Sequence, residues 1–371
     1  MKRWLHRLIR LALACLGVLL VFIAVEVASS WRCDLQGQIP VLVPQPEQRK
    51  AAVANVKDYS RPEDDTYLSY PEWYIVWSYQ EKADFQERQL PSGFPYFGAV
   101  HQYWKSYCCI SRLTRGKYEF NAGEQVMLAV IGISFSAEYI VKGVYENTIG
   151  RVSEWNSGHQ FTSEDQYAYK VAREYADFVH VRPFYEFHFA RHVKGLWAEN
   201  SVWGLHPIRK WERRIFLTID YAAEAFYCWL IEKGAHETYG REPDRTDAWV
   251  ENLDEAARAQ IPHLKLVKRV GPQAVIVDIP RYQEFTAIAS ILAQHGVSFV
   301  EIAGNSQVTL SVLAPQAWHH EGSDTQQLFS MPVLTRPAWQ RVVLTCAVPS
   351  LAQSLNALHS DAVVVEHVYD Y

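Results

Sequence analysis

The run Leu8-Ile9-Arg10-Leu11-Ala12-Leu13-Ala14-Cys15-Leu16-Gly17-Val18-Leu19-Leu20-Val21-Phe22-Ile23-Ala24-Val25-Glu26-Val27-Ala28 decides how the rest of the chain is read. Between Arg10 and Glu26 lie fifteen uncharged residues. A bilayer-spanning helix needs about 20 mostly apolar residues. That length is reached here when Arg10 snorkels to one headgroup layer and Glu26 lies near the other. Lys2, Arg3, Arg7 and Arg10 stand at the start, and basic residues stay on the cytoplasmic side. The expectation is a single-pass membrane protein with a cytoplasmic N-terminus and a periplasmic or extracellular body. A cleaved secretory signal, with Val27-Ala28-Ser29 as its cutting site, is the alternative. Both place the body across the membrane.

The chain has 371 residues, 49% apolar and 21% charged, which suits a folded protein with more than one domain. Net charge is −5, and the main basic group after the anchor, Arg209-Lys210-Trp211-Glu212-Arg213-Arg214, reads as a helix start. Nucleic acid is therefore not an expected partner. Six cysteines include no Cys-x-x-Cys pair, so thiol-redox and haem-attachment motifs are absent. An oxidising compartment permits a disulfide, but the spacing nominates no pairing.

Outward from the anchor (1–33), residues 34–65 carry Pro40, Pro44, Pro46 and Pro62 and read as an extended spacer. Residues 66–242 are rich in aromatics and show helical spacing. The pattern predicts helices over 71–89, 97–113, 124–155, 163–180, 185–197 and 208–233, with Ser163 capping the fourth and Gly234 stopping the last. Within the third, Val126 to Phe135 is an unbroken apolar run of ten residues. That is too short to span a bilayer alone and suits a buried core helix.

Residues 243–272 read as a more polar connector. From 273 to 371 the pattern changes to strands near 274–279, 298–303, 308–313, 341–348 and 362–368, with helices at 281–295 and 350–358. The fold class is therefore α+β: a transmembrane helix, an aromatic-rich helical bundle and a small ferredoxin-like α+β sandwich.

Two constellations stand out. Glu138 and Lys142 are four residues apart, as are Asp220 and Glu224, and each pair borders an apolar helical stretch. If these helices pack together, the four groups meet inside the bundle as a buried polar site. His188 and His192 also stand four apart, so on one helix they would share a face, as metal ligands require. No cofactor is firmly implied; a transition metal at His188 and His192 is the candidate. His319-His320-Glu321 with Asp324 marks a further loop for a metal or partner contact. No phosphate loop, nucleophile elbow or dinucleotide fingerprint occurs.

The reading is a membrane-anchored, non-enzymatic binding or accessory protein for an apolar ligand, a lipid or a membrane-protein partner. The alternatives are a membrane-bound metalloenzyme using these His and carboxylate groups, and a multi-pass protein in which 124–145 and 215–231 also cross the bilayer.

Overall fold

The computed structural model describes residues 20–30, 32–40, 59–238, 245–320, 324–360 and 363–370, with single positions at 17, 53, 56 and 322. Most of the expected anchor before residue 20, most of the spacer from 41 to 58 and the junction at 239–244 lie outside the described residues.

The described chain begins with helix α1 (Leu20–Ser30). A short turn α2 (Asp65–Leu68) leads into α3 (Tyr70–Gln86), which has Pro71 in its first turn, where a missing N–H costs nothing. Then come α4 (Tyr96–Thr114) and α5 (Ala122–Tyr145), which passes through a π-turn at Glu146–Gly150 into α6 (Arg151–Asn156). Asn121 caps α5 by accepting from the Glu124 N–H. Helix α7 (Ser163–Val179) is capped by Thr162, not Ser163: Thr162 and Asp165 form a reciprocal capping box. Helix α8 covers Phe189–Glu199, and α9 runs from Pro207 to Thr238, straight through Gly234. A glycine inside a helix costs about 1 kcal/mol against alanine, and here it does not end the helix.

The fold is α+β, with two four-stranded antiparallel sheets where the sequence suggested one sandwich. The first holds β1 (Arg245–Glu251), β2 (Lys265–Arg269), β3 (Ala274–Pro280) and β4 (Ser298–Ile302), ordered β2-β3-β1-β4. Helix α10 (Glu255–Gln260) joins β1 to β2, and α11 (Gln283–Gln294) joins β3 to β4. The stretch 243–272, expected as a connector, thus supplies two strands and a helix. The second sheet holds β5 (Gln307–Pro315), β6 (Thr325–Pro332), β7 (Trp339–Ala347) and β8 (Val364–Val368), ordered β6-β7-β5-β8. Helix α12 (Leu351–Ser360) connects β7 to β8.

The second sheet is covered on both faces, so β5 and β7 are buried nearly end to end. Leu310, Val312, Val342 and Leu344 share a core with α11, α12 and the first sheet. Phe329 and Val343 share the other core with the aromatic helices. Helix α3 is clamped to this second face. Trp73 stacks on His367 at 3.5 Å, and Tyr70 meets Phe329 edge-on. Arg341 lies over the Trp77 ring and reaches Glu81 at 3.1 Å and Glu366 at 2.5 Å. Burial holds His367 well below the usual imidazole range, so it is neutral in the stack.

The expected spacer is not free where it is described. Cys33 is disulfide-bonded to Cys109 on α4, and the Gln36 N–H donates to the Leu328 carbonyl on edge strand β6 at 2.8 Å. The bridge joins positions 76 residues apart. Cys33→Ser is expected to lower stability by about 2–4 kcal/mol, read as a drop in Tm that reductant reproduces in the native protein and leaves unchanged in the variant.

Candidate functional site

Helices α3, α5, α7 and α9 enclose a cavity of about 50 Å³, room for a few waters. Helices α5 and α9 run antiparallel along it: Ser134 bonds Tyr227 near one end and Tyr145 stacks on Phe216 further along, and beyond the π-turn Ser153 of α6 bonds Glu212. Both helices turn charges toward each other and toward α3 and α7, so those charges pair inside the bundle.

The four residues singled out from the sequence come together here. Lys142 Nζ lies 2.7 Å from Glu138 Oε1, 3.1 Å from Asp220 Oδ1 and 3.2 Å from Glu224 Oε1. The Tyr79 hydroxyl donates to the second Glu138 oxygen at 2.6 Å. One ammonium thus serves three carboxylates. Burial, with Glu138 beside it, pushes Glu224 up to about 7.

Lys82 on α3 also lines the cavity. It has no salt-bridge partner among the described residues, and its Nζ stands 5.8 Å from the centre of the Tyr139 ring. Burial and the neighbouring Lys142 bring it down to about 8.

A second tier of buried charge, not anticipated from the sequence, continues along α9. Arg213 pairs with Glu146 at 2.6 Å and Asp165 at 3.1 Å, and Arg209 pairs with Asp165 at 2.8 Å and Glu212 at 3.0 Å. Arg214 and Lys210 share Glu164 at 2.6 and 2.9 Å. The three arginines are 0–1% exposed. The basic cluster read as a helix-start patch is therefore interior. The spacing held the signal: 209 and 213, and 210 and 214, are i,i+4 pairs that repeat on one helical face.

The histidine pair does not share a helical face. His188 precedes α8 in a non-helical conformation and is exposed, while His192 is buried and stacked parallel to Phe187 at 5.1 Å. Burial lowers the His192 pKa. Among the described residues no group of three or more His, Cys, Asp or Glu side chains is placed to hold a metal. In the His319–Asp324 loop, His320 bonds Thr325, and Glu321 lies outside the described residues.

Compared with family models, curated proteins and solved structures, the chain matches none.

Two outcomes follow from the charge geometry. Lys142→Met leaves three partly buried carboxylates without their common cation and is expected to cost about 3 kcal/mol in a denaturant titration, with Glu138→Gln in the same chain recovering part of the loss. Lys82 behaves oppositely. Its folded pKa lies below its unfolded value, so its charge opposes folding below pH 8, and that penalty fades as pH rises toward 10. Lys82→Met should raise Tm at pH 7, with the gain shrinking steadily in melts taken above pH 8.

Proposed function

We propose that this is a membrane-anchored protein with an extracytoplasmic body, acting as a non-enzymatic binding or accessory protein at the bilayer for lipid or a membrane-protein partner. The observation that carries this reading is the way α1 joins the body. Phe22 contacts Phe97, Glu26 pairs with His101 at 2.8 Å, and Cys33 is bridged to Cys109, all on α4. Leu20, Val21 and Val25 on the opposite side of α1 are 48–64% exposed. A helix fixed to its body along one side, with apolar residues on the other, is suited to continue into hydrocarbon and to hold the bundle close against the membrane. The disulfide suits an oxidising compartment, and the basic residues ahead of the anchor favour a cytoplasmic N-terminus.

A second reading has its own support. The helix Ala122–Asn156, 35 residues with its π-turn, is long and apolar enough to cross a membrane, and 39% of its most apolar window is buried within the protein. Were it a second span, the two ends of the protein would lie on the same side.

Topology separates the two. A full-length chain carrying a C-terminal alkaline phosphatase should show phosphatase activity and sediment with membranes after carbonate washing. An inactive phosphatase with a fluorescent C-terminal fusion would favour two spans. Recovery of the protein in the soluble cytosolic fraction would reject both.

A further inference from the structure

The outer surfaces of α5 and α9 are the converse of their inner ones. On α5 the exposed positions include Val130, Ile133, Val141 and Val144, and the stripe continues along α6. On α9 they are Ile215, Ile219, Phe226 and Leu230, with the exposed alanines 222 and 223 between. Val141 and Ile219 are 64% and 63% exposed. These spacings follow the helical repeat, so each helix carries a continuous apolar stripe. Every acidic and basic residue of α9 from Arg209 to Glu224 is turned away from it, into the ion pairs already described. The two helices are tied together by pairs from Ser134–Tyr227 to Tyr145–Phe216, and with the charges of their inner sides turned toward each other the two stripes form the outer, apolar face of the pair.

Trp155 ends this face near the start of α9, and Trp229 stands toward the other end, both largely exposed. Between them the exposed side chains are mostly aliphatic. Tryptophan prefers the boundary between water and hydrocarbon, and Val and Ile prefer hydrocarbon. Soluble monomers rarely leave a contiguous apolar patch of this kind uncovered.

Three observations say what covers it. First, between its two tryptophans the face is mostly aliphatic: the Thr148 hydroxyl is bonded back to the Val144 carbonyl, and the exposed charges Arg151, Glu232 and Lys233 stand toward its ends, so little there would give a protein partner register. Second, α1 leads to it: Phe97, which packs on Phe22 of α1, also packs against Gly143 on α5, where an added Cβ would meet Tyr96 and Phe97 at 2.9–3.2 Å. The helix reaching toward the bilayer therefore stands beside the apolar face. Third, the far side of the bundle is polar, with Gln166, Lys170 and Asp177 of α7 exposed. A bundle apolar on one flank and wetted on the other lies along a membrane rather than through it.

We propose that the α5–α9 face lies in the plane of the bilayer, sunk to the boundary between headgroups and acyl chains, with phospholipid acyl chains as its occupant. This rests on the membrane-anchored reading above and adds a second, peripheral contact to the anchor. The charged interior then keeps two helices helical and adjacent while their other faces meet lipid.

The test is site-directed spin labelling of the full-length protein reconstituted in phosphatidylcholine–phosphatidylglycerol vesicles. Val141→Cys and Ile219→Cys place labels on the face, Gln166→Cys places one on α7, each in a Cys15→Ser background, and that background chain, in which Cys108, Cys228 and Cys346 are buried, sets the baseline. The labels at 141 and 219 should collide severalfold more with dissolved oxygen than with a water-soluble nickel chelate, and the label at 166 should show the reverse. A nickel-dominated signal at 141 and 219 in vesicles that retain the protein would overturn the lipid contact while leaving the anchor intact. Low collision with both reagents would overturn it too, by showing protein over the face. Failure of the full-length protein to incorporate would instead sink the anchored reading.

Discussion

Charge buried between helices must be neutralised by charge, and the helical part of this protein is built around that demand. Removing an ammonium or carboxylate from water costs several kcal/mol even after relaxation, and only good geometry recovers it. Lys142 meets the demand with three carboxylates, and the guanidinium groups of Arg209 and Arg213 share Asp165. Each pairing fixes a register. A slip of one turn between α5 and α9 would take Lys142 from Asp220 and Glu224 and Arg213 from Glu146 together. The network therefore specifies the antiparallel alignment more sharply than apolar contacts, which tolerate repacking.

The second constraint lies at the sheet. With helices on one face of the second sheet and the aromatic cluster on the other, β5 and β7 have no solvated side. Val308-Thr309-Leu310-Ser311-Val312 alternates apolar and polar as a half-exposed strand would, yet Thr309 and Ser311 are as buried as their apolar neighbours. The helical part is tied to this strand through its backbone: the Thr309 N–H donates to Thr66 Oγ1 at 2.9 Å, and Thr66 in turn donates to the Tyr369 carbonyl. Arg341, between Glu81 and Glu366, ties α3 to this sheet by ion pairs, and the Trp77 ring shields it.

The helices were legible because their signals are local. Pro71, the apolar run from Val126 to Phe135 and the acidic first turn at Glu164–Asp165 each mark an element without reference to anything distant. The strands were legible only where apolar residues dominate. β6 begins Thr325-Gln326-Gln327, and β1 alternates small buried residues with Arg245, Asp247 and Glu251, so both resembled connector. Their pairing with β7 and β3 is what makes them strands, and pairing is invisible to a window of eight residues. The polar site was half visible. Spacing of four placed Glu138 with Lys142 and Asp220 with Glu224, but Lys82 joins them from another helix. The His188–His192 spacing misled because helix α8 starts one residue too late for both to lie on it.

The clamp between α3 and β8 has a temporal side. Thr66 and Tyr369, which it brings together, are 303 residues apart in the chain. At roughly 5–20 residues per second, ribosomal synthesis leaves about 15 to 60 seconds between the appearance of the two partners. Throughout that interval the indole of Trp73 and the phenol of Tyr70 wait without their cover. The newborn polypeptide is thus longest at risk of sticking to its neighbours at the very helix that later closes the finished fold, and a holding chaperone would find its purchase there.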